Sequence, residues 1–295
     1  MAANPLAANP RTAPPARPER RRVRIGELLV ASGRVSEGDL PRIAAFQERK
    51  GLRFGEAAVE LGLVSVDDVQ RALARQFNYP YLKRGDSNLS PMVVSAYQPF
   101  DPCAEVFRVL RSQLTLRWFD RGEKALAIGS ARGGCGTSTV AANLAVSFAQ
   151  LGERTLLIDA NLRRPVQHWL FGVLADSGLA DVLVGRCSLE EAALEIPPID
   201  RLALLCAGPV PPNPHELLSG KPLMNLLEEA QRTFSVVILD TPAALDFADA
   251  QMICARTGAY LLVTRRHQSR VADVRAATLR LAPAGAVMIG AVVSD

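Results

Sequence analysis

The chain has 295 residues, 48% of them apolar, enough for two domains of ordinary size and a sizeable buried core. Its formal charge of +4 is small, and much of the excess lies between Arg17 and Arg24, which argues against a general nucleic-acid surface. Five cysteines with no C-x-x-C pair exclude a disulfide framework or a zinc site, and no run of eighteen apolar residues offers a membrane span.

Residues 1–23 are rich in Ala, Pro and Arg and lack the apolar core of a signal peptide, so a disordered cytoplasmic tail is expected there. Contact of its basic run with anionic lipid is the alternative to simple solvation.

A tandem repeat follows. RIGELLVASGRVSEGDLPRIAAFQ (24–47) returns after the spacer ERKGL as RFGEAAVELGLVSVDDVQRALARQ (53–76). A shift of 29 residues superimposes Arg24 on Arg53, Gly26 on Gly55, Gly33 on Gly62, Ser36 on Ser65, Asp39 on Asp68 and Gln47 on Gln76. Each copy reads as a short helix ending at a glycine, then a second helix after a serine N-cap with aspartate at the capping-box position. Two such hairpins predict a small all-α domain over 24–81. Its arginines suit phosphates or guanine faces, and its glycines would let backbone approach a ligand. The bland alternative is a bare structural repeat.

Residues 82–101 carry Gly, Pro, Ser and Asn with weak periodicity and read as a linker. A helix is predicted from Pro102. It carries Glu105, Arg108 and Arg111 at spacing three, beside an apolar stripe of Val106, Val109, Leu110 and Leu114.

From 124 onward, apolar runs alternate with helical patterns. Strands are predicted at 125–130, 154–160, 201–208, 235–240, 259–265 and 286–293, with helices at 137–150, 222–232 and 269–282 among them. This pattern predicts an α/β fold, a mostly parallel sheet with helices on both faces, whose ligands sit at the carboxyl ends of the strands. One such end leads into GSARGGCGTSTVAANLA (129–145), which has the spacing of a phosphate-binding loop. Backbone amides over Gly133, Gly134, Cys135, Gly136, Thr137, Ser138 and Thr139, at a helix N-terminus, suit phosphate oxygens. Two further strands end in Asp159 and Asp240, and with the Ser138 hydroxyl these carboxylates would cradle magnesium.

The two halves carry separate resemblances. The repeat resembles the N-terminal domain of type II secretion and pilus-assembly ATPases. That implies binding of cyclic di-GMP through Arg24, Gly26 and Gln47 and their counterparts Arg53, Gly55 and Gln76. The glycine loop, D-A-N-L-R and L-D-T-P with Asp249 downstream resemble the bacterial tyrosine kinases of polysaccharide export, relatives of the MinD/ParA ATPases. With the repeat in front, residues 23–295 resemble the exopolysaccharide chain-length-determinant tyrosine kinases called EpsG. This implies ATP with Mg2+ as cofactors, Asp159, Asp240 and Arg132 in catalysis, and Ser138, Asp159 and Asp240 at the metal. It also implies a homo-oligomer formed through Glu105, Arg108 and Arg111, and a membrane polysaccharide copolymerase on a separate chain as the partner that recruits the protein.

Four features depart from the kinase pattern. Thr137 replaces the loop lysine, Asn161 replaces the second aspartate of D-x-D, Ser294 stands where relatives often carry asparagine, and no tyrosine-rich tail precedes Asp295. The tyrosines are Tyr79, Tyr81, Tyr97 and Tyr260, the last expected in a buried strand. Loss of one preorganised stabiliser of transferring charge commonly costs about 10²–10³ in rate, although Arg132, at the place of the MinD signature lysine, would compensate in part. Three functions therefore stay open: an autokinase, a regulatory pseudokinase responsive to cyclic di-GMP, and a ParA-type positioning ATPase.

Overall fold

The structure, a computed structural model, describes residues 24–76, 82, 87–97, 101–197 and 199–295. The expected tail, the end of the helical domain with Tyr79 and Tyr81, and part of the expected linker lie outside the described residues. The chain divides into two compact units, 1–77 and 78–295.

The first unit holds α1 (Ile25–Ala31), α2 (Asp39–Lys50), α3 (Phe54–Glu60) and α4 (Val66–Gln76). The duplication in sequence becomes a duplication in packing: α1 lies against α4 and α2 against α3. Its core pairs Leu29 with Ala58, Val35 with Val64 and Ile43 with Ala72, each pair related by the repeat offset. Gly33 and Gly62 close their helices in the left-handed region, at φ +68° and +70°. In the second copy Ser65 and Asp68 form the expected reciprocal cap, at 3.0 and 3.1 Å. In the first copy the helix starts only at Asp39, and Ser36 holds the Asp39 carboxylate instead of capping a helical N–H. The repeat arginines carry a cap that sequence spacing did not suggest: the backbone N–H groups of Arg24 and Arg53 donate to Glu27 and Glu56, at 3.4 and 2.8 Å.

Gly26 and Gly55 serve helix packing. A Cβ on Gly26 would come within 3.2 Å of Leu40 and of Phe54, and one on Gly55 within 2.5 Å of Val69. Ile25 lies 3.6 Å from that same Gly55 position, so each copy's first helix seats an apolar residue on the other copy's glycine.

The second unit comprises, in order, α5 (Val94–Tyr97), α6 (Pro102–Arg117), β1 (Ala125–Ser130), α7 (Thr137–Leu151), β2 (Thr155–Asp159), α8 (Gln167–Phe171), α9 (Leu179–Leu183), α10 (Leu189–Ala192), β3 (Leu194–Glu195), β4 (Leu202–Leu205), α11 (Pro214–Ser219), α12 (Lys221–Thr233), β5 (Val236–Asp240), α13 (Asp249–Thr257), β6 (Ala259–Arg265), α14 (Val271–Leu281) and β7 (Val287–Ser294). The sheet order is β3-β4-β2-β5-β1-β6-β7, parallel throughout except for the short β3. Successive residues of β1 alternate between two cores: Leu126 and Ile128 face one, Ala125 and Ala127 the other. That alternation is why the predicted strands read as unbroken apolar runs.

Two expectations are corrected. Residues 87–97 are not a loose linker: Leu89, Val93, Ala96 and Tyr97 are buried in the core of this unit. Asn143 and Gln150 on α7 accept from and donate to this segment's backbone, at 2.9 Å from Ser95 N and 2.8 Å from Ser95 O. Composition registers the Gly, Pro and Ser, but not the distant side chains that satisfy the backbone. On α6, Val106 and Val109 are 60% and 54% exposed, and only Leu110 and Leu114 of the expected stripe face the core.

The packing predicts that Gly55→Ala destabilises the first unit by about 1–3 kcal/mol, through overpacking against Val69. Val69→Ala in the same chain should recover much of that loss. Urea denaturation of the parent, both single variants and the double variant measures it; additive single effects would contradict the contact.

Candidate nucleotide site

The site is assembled at the carboxyl ends of β1, β2 and β5. β1 ends at Ser130, and Gly134 and Gly136 turn the loop in the left-handed region, at φ +85° and +80°. The loop's carbonyls are held from outside. Ser130 Oγ donates to Arg132 O at 2.7 Å, Arg265 Nη1 to Gly134 O at 3.3 Å, and Ser294 Oγ to Cys135 O at 2.9 Å. Among the described residues, no backbone hydrogen bond uses the N–H groups from Gly133 to Ser138. Those donors, at the N-terminus of a four-turn helix, are what a phosphate group requires. Thr137 and Ser138 are the first two helical residues and Thr139 the third, all partly exposed.

Asp159 and Asp240 stand opposite one another in the β2–β5 register, and neither has exposed surface. Burial raises the pKa of both, and the charge of Asp240 raises Asp159 further. Backbone N–H groups oppose the shift. Val166 N and Gln167 N each donate to Asp159 Oδ2 at 2.9 Å, and Asn161 N donates to Oδ1 at 3.3 Å. At Asp240, the Ser138 hydroxyl and the Gln167 amide both favour the charged form. Gln167 Nε2 bonds Asp240 Oδ2 at 2.7 Å, and Asp240 Oδ1 has no partner.

This arrangement fits a hard divalent cation. Two carboxylates and a hydroxyl are all-oxygen donors, and a buried carboxylate oxygen without a donor needs a positive neighbour. No cluster of three His, Cys, Asp or Glu suited to a metal occurs among the described residues, so phosphate oxygens and water would complete the shell. Ser138 and Asp240 are the better placed ligands; both oxygens of Asp159 already accept from backbone.

The other expected residues are placed less simply. Arg132 is 57% exposed and held by two carboxylates, Asp246 at 3.1 Å and Asp273 at 3.5 Å, so its charge is not turned solely to the loop. Asn161 Oδ1 accepts from Arg164 N at 3.2 Å, closing a local turn. Ser294 is committed to the loop and to Thr264 O at 3.2 Å. Glu105 accepts from Arg108 Nε at 2.7 Å, while Arg111 reaches across to Ser147 O on α7 at 2.7 Å. The three therefore do not form one outward face. Residues three apart on a helix step back by about 60° each time, and two steps carry Arg111 toward the core.

In the first unit, Arg24, Gly26, Gln47 and Gln76 line one groove of about 1050 Å³, floored by Ile25, Leu40 and Phe54. Gly55 lines a smaller groove of about 370 Å³ with Val59 and Val69, the repeat-related counterpart, from whose lining Arg53 is missing. Gly26 packs closely against Leu40 and Phe54 and Gly55 against Val69, and each also lines its groove.

Sequence reading missed Gln167, which lies 73 residues from the carboxylate it holds. It also missed the partners of Asp249. This buried carboxylate pairs with Arg163 at 2.6 Å and faces His215 at 3.4 Å, and Arg163 stacks on Phe247 at 4.3 Å. Only the D-A-N-L-R segment (159–163) and the stretch PPNPHELL (211–218) carry these residues, and no spacing links the two.

A family model described as an AAA domain matches residues 123–270. Tyrosine-protein kinase YwqD of Bacillus subtilis (strain 168) is 38% identical over 213 residues, covering 70% of this chain and 90% of that protein. Tyrosine-protein kinase etk of Escherichia coli (strain K12) is 33% identical over 196 residues, covering 66% of this chain but 27% of its own length. The solved kinase domain of Escherichia coli tyrosine kinase ETK superimposes with a TM-score of 0.68 at 31% identity, covering 74% of this chain and 85% of that one. The septum site-determining protein MinD complexed with Mg-ADP, from Pyrococcus horikoshii OT3, gives a TM-score of 0.51 at 25% identity over 58% of this chain and 71% of that one. The glycine loop, the two strand-end carboxylates and these likenesses agree: the chain belongs to the bacterial tyrosine-protein kinases with a MinD/ParA-like P-loop fold.

Proposed function

We propose that the second unit binds ATP with magnesium and acts as a tyrosine autokinase of exopolysaccharide synthesis or export, controlling chain length. The observation that carries this reading is the row of unused N–H groups from Gly133 to Ser138 beside the buried Asp159–Asp240 pair. When bound, magnesium would offset charge on the transferring phosphoryl group. This chain's residues would do the rest. The loop amides grip the phosphates, Ser138 and Asp240 present oxygens to the metal, and Asp159 holds its place through three backbone donors.

The first unit would bind cyclic di-GMP in the groove between Arg24 and Gln76 and regulate the kinase. No described helix is long and apolar enough to cross a membrane. We assign the protein to the cytoplasm, recruited to the membrane by a separate polysaccharide copolymerase chain. The far greater length of etk, of which this chain spans 27%, leaves room there for such a part. Self-assembly would use α6, where Val106 and Val109 lie exposed beside Glu105 and Arg108.

A second reading, a catalytically weak regulatory subunit, is favoured by three observations. Thr137 brings no ammonium to the loop, Asn161 is spent on a turn, and Arg132 is shared with two carboxylates.

Labelled ATP with magnesium separates the two. The autokinase reading expects label on tyrosine in the parent and none in Asp159→Ala, with more than tenfold gain in Thr137→Lys/Asn161→Asp. Absent label in the parent with strong gain in the double variant supports the regulatory reading; flat activity in every form opposes both explanations. For the first unit, calorimetry of the full chain with cyclic di-GMP should give heat that Arg24→Ala removes. No heat at high micromolar ligand would reject the ligand.

The carboxylate pair also predicts a pH dependence. Both groups have pKa values raised on folding, so the folded chain retains protons that the unfolded chain has released. Their contribution is fully present below the unfolded value near 4 and is lost as pH rises through the raised values. Without metal, the urea midpoint should fall between pH 5 and pH 8, and Asp240→Asn should flatten that fall; parallel profiles would contradict the assignment.

A further inference from the structure

One enclosed side chain touches the whole site and has no role in the reading above. Gln167, the first residue of α8, has no exposed surface. Its Nε2 donates to Ser138 O at 3.1 Å and to Asp240 Oδ2 at 2.7 Å, and its backbone N–H donates to Asp159 Oδ2 at 2.9 Å. A single residue thus joins α7, β5 and β2, the three elements that carry the phosphate and metal ligands. The orientation of its amide follows from chemistry: both side-chain partners are acceptors, so the nitrogen must face them. That leaves Gln167 Oε1 as a buried acceptor without a partner, like Asp240 Oδ1. Buried polar atoms are costly to leave unpaired, which is a reason to expect a donor or cation at this place.

We propose that Gln167 is a positioning residue of the metal–phosphate site. By binding Oδ2 it fixes the Asp240 carboxylate between the loop helix and the tip of β2, so that Oδ1 is left to meet a divalent cation arriving with the nucleotide. This rests on the nucleotide-binding reading. A glutamine that merely cements the fold would weaken nucleotide binding equally with and without metal. A positioning glutamine acts on the metal-dependent part alone, because its side chain bonds the Asp240 carboxylate and the Ser138 carbonyl and takes up none of the loop N–H groups.

The experiment uses the full chain and Gln167→Met, which keeps the side-chain length and removes the hydrogen bonds. ATP binding is measured by calorimetry in magnesium and in EDTA, and Mn2+ binding in the presence of ADP by electron paramagnetic resonance. The variant should match the parent in EDTA and lose about 10- to 100-fold of the parent's metal-dependent gain, with Mn2+ affinity falling in proportion. Should that variant not fold, Gln167→Asn, too short to span Ser138 O and Asp240 Oδ2 together, gives the same readout. An undiminished metal increment, or equal losses in both buffers, overturns the proposal. A parent chain that retains no nucleotide in either buffer overturns the nucleotide reading, and this inference falls with it.

Discussion

Two carboxylates without exposed surface, Asp159 and Asp240, meet at the ends of adjacent parallel strands, and like charges buried side by side are not stable in a protein interior unaided. Much of the local architecture answers that constraint. The chain after β2 folds back so that the N–H groups of Asn161, Val166 and Gln167 converge on Asp159. α8 begins at Gln167, whose side chain reaches both Asp240 and Ser138. What remains unanswered, Asp240 Oδ1, defines where positive charge belongs.

The loop next to this pair follows a complementary logic. Its carbonyls are tied outward by Ser130, Arg265 and Ser294, which leaves the amide dipoles as the positive lining of the site. Such a cradle offers donors to an anion even without a lysine, because a nest of N–H groups and a helix terminus already attract anions. On the proposed function, binding and chemistry would depend on different groups. Thr137 leaves the cradle intact and removes a mobile charge, and Asn161 exchanges a carboxylate for a turn-closing amide.

In the first unit the duplicated sequence makes a duplicated structure, but the two grooves are unequal. Leu40 and Phe54 floor the larger one, and Val69 takes the Leu40 position in the smaller. The symmetric glycines pack the copies together, so groove-lining positions are free to differ between copies while the packing stays the same.

The sequence by itself determined the repeat, the order of the six parallel strands, the phosphate loop and the two strand-end aspartates. Each of these is encoded by neighbours in the chain: a periodicity, a cap or a glycine spacing. It did not determine that residues 87–97 pack on α7, that Arg111 turns inward to Ser147, or that Arg132 is held by Asp246 and Asp273. Nor did it reveal Gln167, whose partners come from 29 and 73 residues away. Those contacts exist only once the parallel sheet has brought the ends of β2, β5 and the loop together. Hydrogen bonding and charge pairing over such separations leave no pattern in local sequence, and the tertiary structure alone decides them.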